Sequence, residues 1–222
     1  MKHLNILSTA LNDFPGVDHS RALHRFNSYY QELLAWNQRI NLISKKDENR
    51  IVTRHFLESL GFLKQINFPL EARVLDLGSG AGLPGIPLAI VRPDLHITLV
   101  EAKKKKTEFL QEVSRILTLD TIRIINKRME EIVGKMDTID IVVCRSVASL
   151  AQLYKWTRPC LEPSQGKLIT IKGEQYKKEL STLIKHSKSD TGIEYTIASF
   201  NPFPGLYSIR KCYLVVVIFK NN

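Results

Sequence analysis

Between Val74 and Pro87 the sequence reads VLDLGSGAGLPGIP, and its residue types are ones that can hold a nucleoside-type ligand. A strand-like run reaches an acid at Asp76 and is followed by glycines at 78, 80, 82 and 85. Glycines this closely spaced let a backbone turn sharply and let a bulky group approach it. The next β-branched run, HITLVEA, ends with Glu101 about twenty residues beyond the glycines, where an acid at a strand tip can accept both hydroxyls of a ribose. Further on, KRMEEI supplies Met129, which can cover an adenine face, and Glu130, which can lie near its exocyclic amine. A capped short helix accounts for the same residues equally well.

Three ligand classes compete for the glycine loop. A phosphate-cradling P-loop needs a Lys-Ser/Thr pair to close the glycine run, and GLPGIP has none. A dinucleotide loop needs G-x-G-x-x-G, but Leu83 stands where the third glycine belongs. The remaining pattern, D-x-G-x-G-x-G over residues 76–82, is the loop that holds S-adenosylmethionine. Its chemistry agrees: the methionyl part carries an ammonium and a sulfonium, so an acid before the loop is useful. Glu101 suits NAD as well, so it points to a nucleoside without choosing between the two. A tight turn packing helix against strand is the bland account of the glycines.

The elements that must position these residues fall into two parts. From about Asp18 to Phe62 the apolar residues recur at helical spacing, with Leu23, Phe26, Tyr30, Leu33 and Leu34 in one stripe and Ile51, Val52, His55, Phe56, Ser59 and Leu60 in a second. Beyond NFP, the β-branched runs RVLDLG, HITLVEA, TIRIIN, IDIVVC and KLITIKG alternate with helical stretches. That alternation predicts parallel strands with crossover helices on both faces. IEYTIASF and IRKCYLVVVIFK then follow one another with no helix between, which predicts an antiparallel hairpin at the end of the sheet. The loop therefore lies at the carboxyl edge of a mostly parallel sheet, where folds of this class bind ligands. We expect a helical extension over 1–70 and a catalytic domain over 71–222, packed together.

Composition narrows the partners. In 222 residues, Lys plus Arg total 32 against 22 Asp plus Glu, a net charge of +10 that favours a polyanion such as nucleic acid. Hydrophobic residues make up 44%, enough for a full core. The amino terminus has no basic segment leading into a long apolar run, and no stretch approaches the ~20 apolar residues of a membrane helix, so neither secretion nor membrane insertion is expected. Cys144, Cys160 and Cys212 are scattered, without metal-type pairing, so no metal is expected and a reducing cytoplasm fits best. Cys160 within RPCL resembles the nucleophile of C5-pyrimidine methyltransferases but comes too late in the chain, and we expect a core cysteine.

The chain resembles the ribosomal RNA small subunit methyltransferase G family, also called glucose-inhibited division protein B. The likeness runs from about Trp36 onward and is carried by WNQRINLIS, RHFLES, LDLGSGAGLPGIPLAIVRP, KRMEE, CRSVASL, IKG and a late arginine before a hydrophobic strand. Ser79, Ala81 and Cys144 are small departures at positions where relatives often carry other small residues. The resemblance implies a seven-stranded Rossmann-like class I fold with an amino-terminal helical extension. It implies methylation of guanine N7 in 16S rRNA near the decoding centre, using S-adenosylmethionine, by a protein expected to be monomeric. For the cofactor it implies Gly78, Leu83, Met129, Glu130 and Arg145, beside Asp76, Gly80 and Glu101 of the broader methyltransferase pattern. No catalytic base is expected, because N7 holds a free lone pair at neutral pH. Arg145 and His55 are candidates for positioning, although Arg145 can equally form an ion pair with a nearby acid and His55 can be a satisfied, half-buried histidine. Arg54, Lys103, Lys104, Lys172 and Arg210 are candidates for RNA phosphates. A nicotinamide oxidoreductase and a non-catalytic ribosome-assembly factor are the rival readings.

Overall fold

A computed structural model describes residues 2–186, 193–206 and 211–219. Seven strands, β1 (Arg73–Leu77), β2 (His96–Val100), β3 (Ile122–Ile125), β4 (Ile141–Arg145), β5 (Lys167–Lys172), β6 (Ile193–Ser199) and β7 (Tyr213–Phe219), form one sheet ordered β3-β2-β1-β4-β5-β7-β6. β1 to β5 pair in parallel, while β7 runs antiparallel to both β5 and β6. The strand order reverses between β1 and β4, which opens a crevice at their carboxyl ends.

The central strands β1, β2, β4 and β5 are buried on both faces, and alternation along them divides the core in two. Val74, Ile97, Leu99, Ile141, Val143 and Ile169 face one apolar cluster. Leu75, Leu77, Val100, Val142, Cys144 and Leu168 face the other. The first face is covered by α4 (Gly85–Val91) and α5 (Lys104–Ile116), the second by α6 (Met129–Ile132), α7 (Leu150–Thr157) and α8 (Tyr176–His186). Every residue of α4 is buried, because α2 (His19–Asn37) and α3 (Leu57–Gln65) lie over its outer side. A helix without a polar face needs such a cover.

The amino-terminal part differs from its apolar periodicity in three ways. A helix over Lys2–Leu11, α1, precedes the first expected stripe and buries Leu7, Ala10 and Leu11. The buried face of α2 is Ala22, Arg25, Phe26, Tyr29, Leu33 and Asn37, with Leu23, Tyr30 and Leu34 only partly buried. The expected stripe is thus rotated, because polar residues take central places by finding partners: Arg25 donates to Thr118's carbonyl, and the Asn37 side-chain oxygen accepts from the Leu42 and Ile43 amides. Finally, Ile51–Phe56 forms a π-helical turn before α3 rather than a plain α-helix. Among the described residues, no helix is long and apolar enough to cross a membrane. Cys160 is 3% exposed, as a core cysteine should be.

Candidate active site

The glycine loop joins β1 to α4, and several of its polar groups have defined holders. Gly78 and Ser79 donate their amides to Val100's carbonyl at 2.9 and 3.0 Å, which ties the loop to the tip of β2. Gly78, Gly80 and Gly82 have φ of 69°, 58° and 84°, the left-handed region that favours glycine. Their surroundings separate their roles. A Cβ on Gly82 would lie 2.4 Å from Ile86 Cδ1, and one on Gly85 would lie 2.4 Å from Leu99 Cδ2, so these two permit close helix–strand packing. A Cβ on Gly80 would meet only Gly78's carbonyl oxygen and Lys106 Nζ, at 3.8 and 3.9 Å. Gly80 therefore leaves space for a ligand.

Glu101 is 8% exposed rather than solvated among the lysines that follow it. One carboxylate oxygen accepts the Gly80 amide at 3.0 Å and the other accepts the Lys103 amide at 2.7 Å. A carboxylate offers about four lone-pair directions, so two remain for ligand hydroxyls. Asp76 lies deeper. It is fully buried, and its Oδ2 accepts the Gly85 amide at 2.9 Å, holding the start of α4. Its Oδ1 has no partner. Burial pushes its carboxyl up to about 7, against the opposing pull of the Gly85 amide and the Arg145 guanidinium.

A groove opens beside Gly78 and Glu101 and continues along Lys127, Arg128, Met129 and Glu130 to Val147 and Trp156. Met129 is buried and Glu130 exposed, so an apolar floor meets an acidic rim. Glu131 accepts the Arg128 amide at 2.9 Å, which sets the single turn of α6 carrying both residues. Trp156 belongs to α7 and reaches this groove although it lies far from the glycine loop in sequence. Only the packing of α7 on the sheet reveals it. Gly78 packs closely against this wall: a Cβ there would lie 2.8 Å from Val147 Cγ2.

Tyr29 was also hidden from sequence reasoning. It projects from α2, is fully buried, stacks on Phe56 with ring centroids 5.0 Å apart, and donates its hydroxyl to Ala81's carbonyl in the glycine loop. The helical extension thus holds the loop directly. No signal marked it, since a tyrosine on an amphipathic helix has the same appearance in a packed core.

Arg145, at the end of β4, turns into the extension. Its guanidinium donates to the carbonyls of His55 (3.2 Å) and Arg54 (3.4 Å) and to Ser59 Oγ (3.2 Å), and pairs with Glu58 at 3.2 Å. It also contacts His55 Nδ1 at 3.2 Å. The ion-pair account of Arg145 therefore describes this structure, and the π-helical turn supplies the carbonyls it collects. His55 is 8% exposed, and burial together with Arg145 lowers its imidazole to about 3. Its Nε2 is buried without a partner.

The remaining candidates are dispersed. Leu83 is half-buried against the apolar cluster on the α4 side and is not among the groove's lining residues. Lys103 and Lys104 are exposed where α5 begins. Arg54 pairs with Asp47 at 3.3 Å. Lys172, a candidate for phosphate, has a side chain 10% exposed, paired with Glu179 at 2.8 Å and donating to Ala148's carbonyl. Arg210 lies outside the described residues. No cluster of metal-ligating side chains occurs among the described residues.

Comparison with known proteins follows the same outline. The model of the rRNA small subunit methyltransferase G family matches residues 22–203. Ribosomal RNA small subunit methyltransferase G of Syntrophus aciditrophicus is 40% identical over 162 residues, covering 71% of this chain and 66% of that protein. Its namesake in Magnetococcus marinus is 41% identical over 169 residues, covering 75% and 74%. The match thus spans just under two thirds of the Syntrophus protein's length. Among solved structures, M. jannaschii TYW2 in complex with AdoMet has a TM-score of 0.56 at 17% identity, covering 75% of each chain. The O-methyltransferase from Bacillus cereus in complex with SAH has a TM-score of 0.55 at 14% identity, covering 86% of this chain and 90% of that one. At such identities the structural likeness is one of fold.

Proposed function

The chain belongs to the rRNA small subunit methyltransferase G family, and on that premise we propose that it methylates N7 of a guanine in 16S rRNA near the decoding centre, in the cytoplasm, with S-adenosylmethionine as methyl donor. The observation that carries this reading is the groove at the tips of β1 and β2, where Gly78, Glu101, buried Met129 and exposed Glu130 line a single path, with open space at Gly80, whose amide Glu101 holds. These residues fit the cofactor: Glu101 retains acceptor capacity for ribose hydroxyls, Met129 offers an apolar surface for a purine, and Glu130 can accept from its amine. S-adenosylmethionine would supply a sulfonium-bound methyl group open to direct attack by the guanine N7 lone pair, the N–C bond forming as the C–S bond breaks and S-adenosylhomocysteine leaves.

The chain's part is then alignment and electrostatics. No residue must remove a proton, which agrees with a His55 ring held neutral and packed against Arg145. Glu101, which lines the groove, and Asp76, buried in β1, would supply negative charge that favours a cationic donor and a purine that becomes cationic on methylation. Arg145 ties the end of β4 to the π-helical turn, so the extension and the sheet edge share one geometry around the site. The exposed lysines that open α5 are suited to RNA phosphates.

Transfer of a tritiated methyl group to small ribosomal subunits from a strain lacking this enzyme, followed by mapping of the modified base, tests the reading. Label at guanine N7 is expected. Label on another atom, or none, overturns it. A melting-temperature shift caused by S-adenosylhomocysteine but not by NADH separates it from an oxidoreductase.

A further inference from the structure

We infer that Lys172 and Glu179 form a positioning pair that holds the far wall of the cofactor groove, and that Lys172 does not act as an RNA phosphate contact. The inference rests on the groove being the cofactor site proposed above. The wall is the segment after β4. Ser146 has φ of 53°, a conformation that a residue with a side chain keeps only when its surroundings impose it. Val147 follows and lines the groove, interlocked with the bare Cα of Gly78.

The restraint comes from two elements that do not line the groove. Lys172, at the end of β5, donates to Ala148's carbonyl. Glu179, on α8, accepts the Leu150 amide at 2.9 Å and pairs with Lys172 at 2.8 Å. The pair thereby fixes backbone atoms on both sides of Ser149, whose hydroxyl accepts the Gln152 amide at the start of α7. Fixing the start of α7 also fixes the helix that carries Trp156 to the groove. Meanwhile Lys172 has two of its three ammonium hydrogens committed and a side chain only 10% exposed. One hydrogen is left for a phosphate, on a side chain almost wholly withdrawn from solvent.

The test uses the full chain and three variants: Lys172→Met, Lys172→Arg and Glu179→Gln. Lys172→Met and Glu179→Gln are expected to raise the Kd for S-adenosylhomocysteine and the KM for cofactor about tenfold, the scale of one charge-assisted hydrogen bond. The KM for small subunits and the salt slope of RNA binding should stay at the wild-type values, and Lys172→Arg should recover most of the loss. A folded Lys172→Met with normal cofactor affinity and a salt slope reduced by about one would overturn the inference and make Lys172 a phosphate contact. Hydrogen exchange at the Leu150 amide supplies a readout independent of any ligand. It should accelerate in Glu179→Gln while amides in β1 stay protected. An unchanged rate at Leu150 would equally overturn the inference. If wild-type protein failed to bind S-adenosylhomocysteine, the functional reading would fail, while the exchange experiment would still decide whether the pair holds the loop.

Discussion

Asp76 and His55 are buried titratable groups that both feel the Arg145 guanidinium, and their environments shift them in ways that pH can read out. Burial raises Asp76 to about 7, so the folded chain takes up its proton at a higher pH than the unfolded chain, whose carboxyl keeps the ordinary value of about 4. Its contribution to stability is therefore present in acid and is lost as pH rises through about 7. A cationic ligand reverses the shift, because positive charge favours the carboxylate. Binding of S-adenosylmethionine near pH 6.5 should release a proton, measured by calorimetry in buffers of different ionisation enthalpy, and Asp76→Asn should abolish the release while weakening binding. His55 has the opposite sign. Its folded value of about 3 lies below the ordinary 6.5, so the unfolded chain gains a proton first and the stability it contributes falls as pH drops from about 6.5 toward 3. It follows that His55 does not titrate across neutrality. Single-turnover methylation from about pH 6 to 9, an interval chosen around that reference value, should show no rising limb that His55→Asn removes. A limb that did vanish in that variant would mean that a proton is abstracted and that N7 is not the target. Glu101 makes a third case. Its carboxylate serves Gly80, Lys103 and, in our reading, the ribose, so Glu101→Ala should weaken cofactor binding by roughly 1.5–3 kcal/mol for each charged hydrogen bond to the ligand. Unchanged affinity by calorimetry would remove Glu101 from the site.

The residues proposed to form the site sit at the ends of elements, and elements far from them in sequence decide their placement. The glycine loop is gripped from three directions: Val100 and Glu101 at the tip of β2, Asp76 beneath α4, and Tyr29 on α2. Tyr29→Phe removes the hydroxyl but keeps the stacking on Phe56, leaving Ala81's carbonyl buried without its donor. The cost should be about 1–3 kcal/mol, the usual penalty for an unsatisfied buried polar group. For a chain of this size that lowers Tm by about 2–4 °C per kcal/mol, and a thermal melt measures it. Cofactor affinity should fall with it, because the loop that loses the contact is the one proposed to bind. Arg145 joins elements in the same way. The π-helical turn exposes carbonyls of Arg54 and His55, and the guanidinium gathers them beside Glu58 and Ser59.

At the scale of the molecule, a net charge of +10 and the reading as an rRNA enzyme together place RNA affinity in phosphate contacts. Binding should weaken steeply with salt, the logarithm of affinity falling linearly with the logarithm of salt concentration. A flat plot between low and moderate salt would count against an RNA substrate. The residue types and their order already determined much of this. The alternation of β-branched and helical runs from residue 71 onward specifies parallel strands, because strand and helix periods differ and a short run cannot satisfy both. The change of rhythm after residue 192 specifies the antiparallel end of the sheet, seen in β6 and β7. The spacing from Asp76 through the glycines to Glu101 could also be read directly, since a loop and the tip of the next strand are neighbours by connectivity alone. Tertiary structure decided the rest. Tyr29 and Trp156 reach the site by packing, which local periodicity does not encode. The ion pairs that bury Arg145 and Lys172 required Glu58 and Glu179, acids whose sequence positions gave no sign of facing them. A surface cation and a buried one have the same letter. Which of them is free to meet RNA is settled only when the chain brings an acid within reach of one and leaves the other in water.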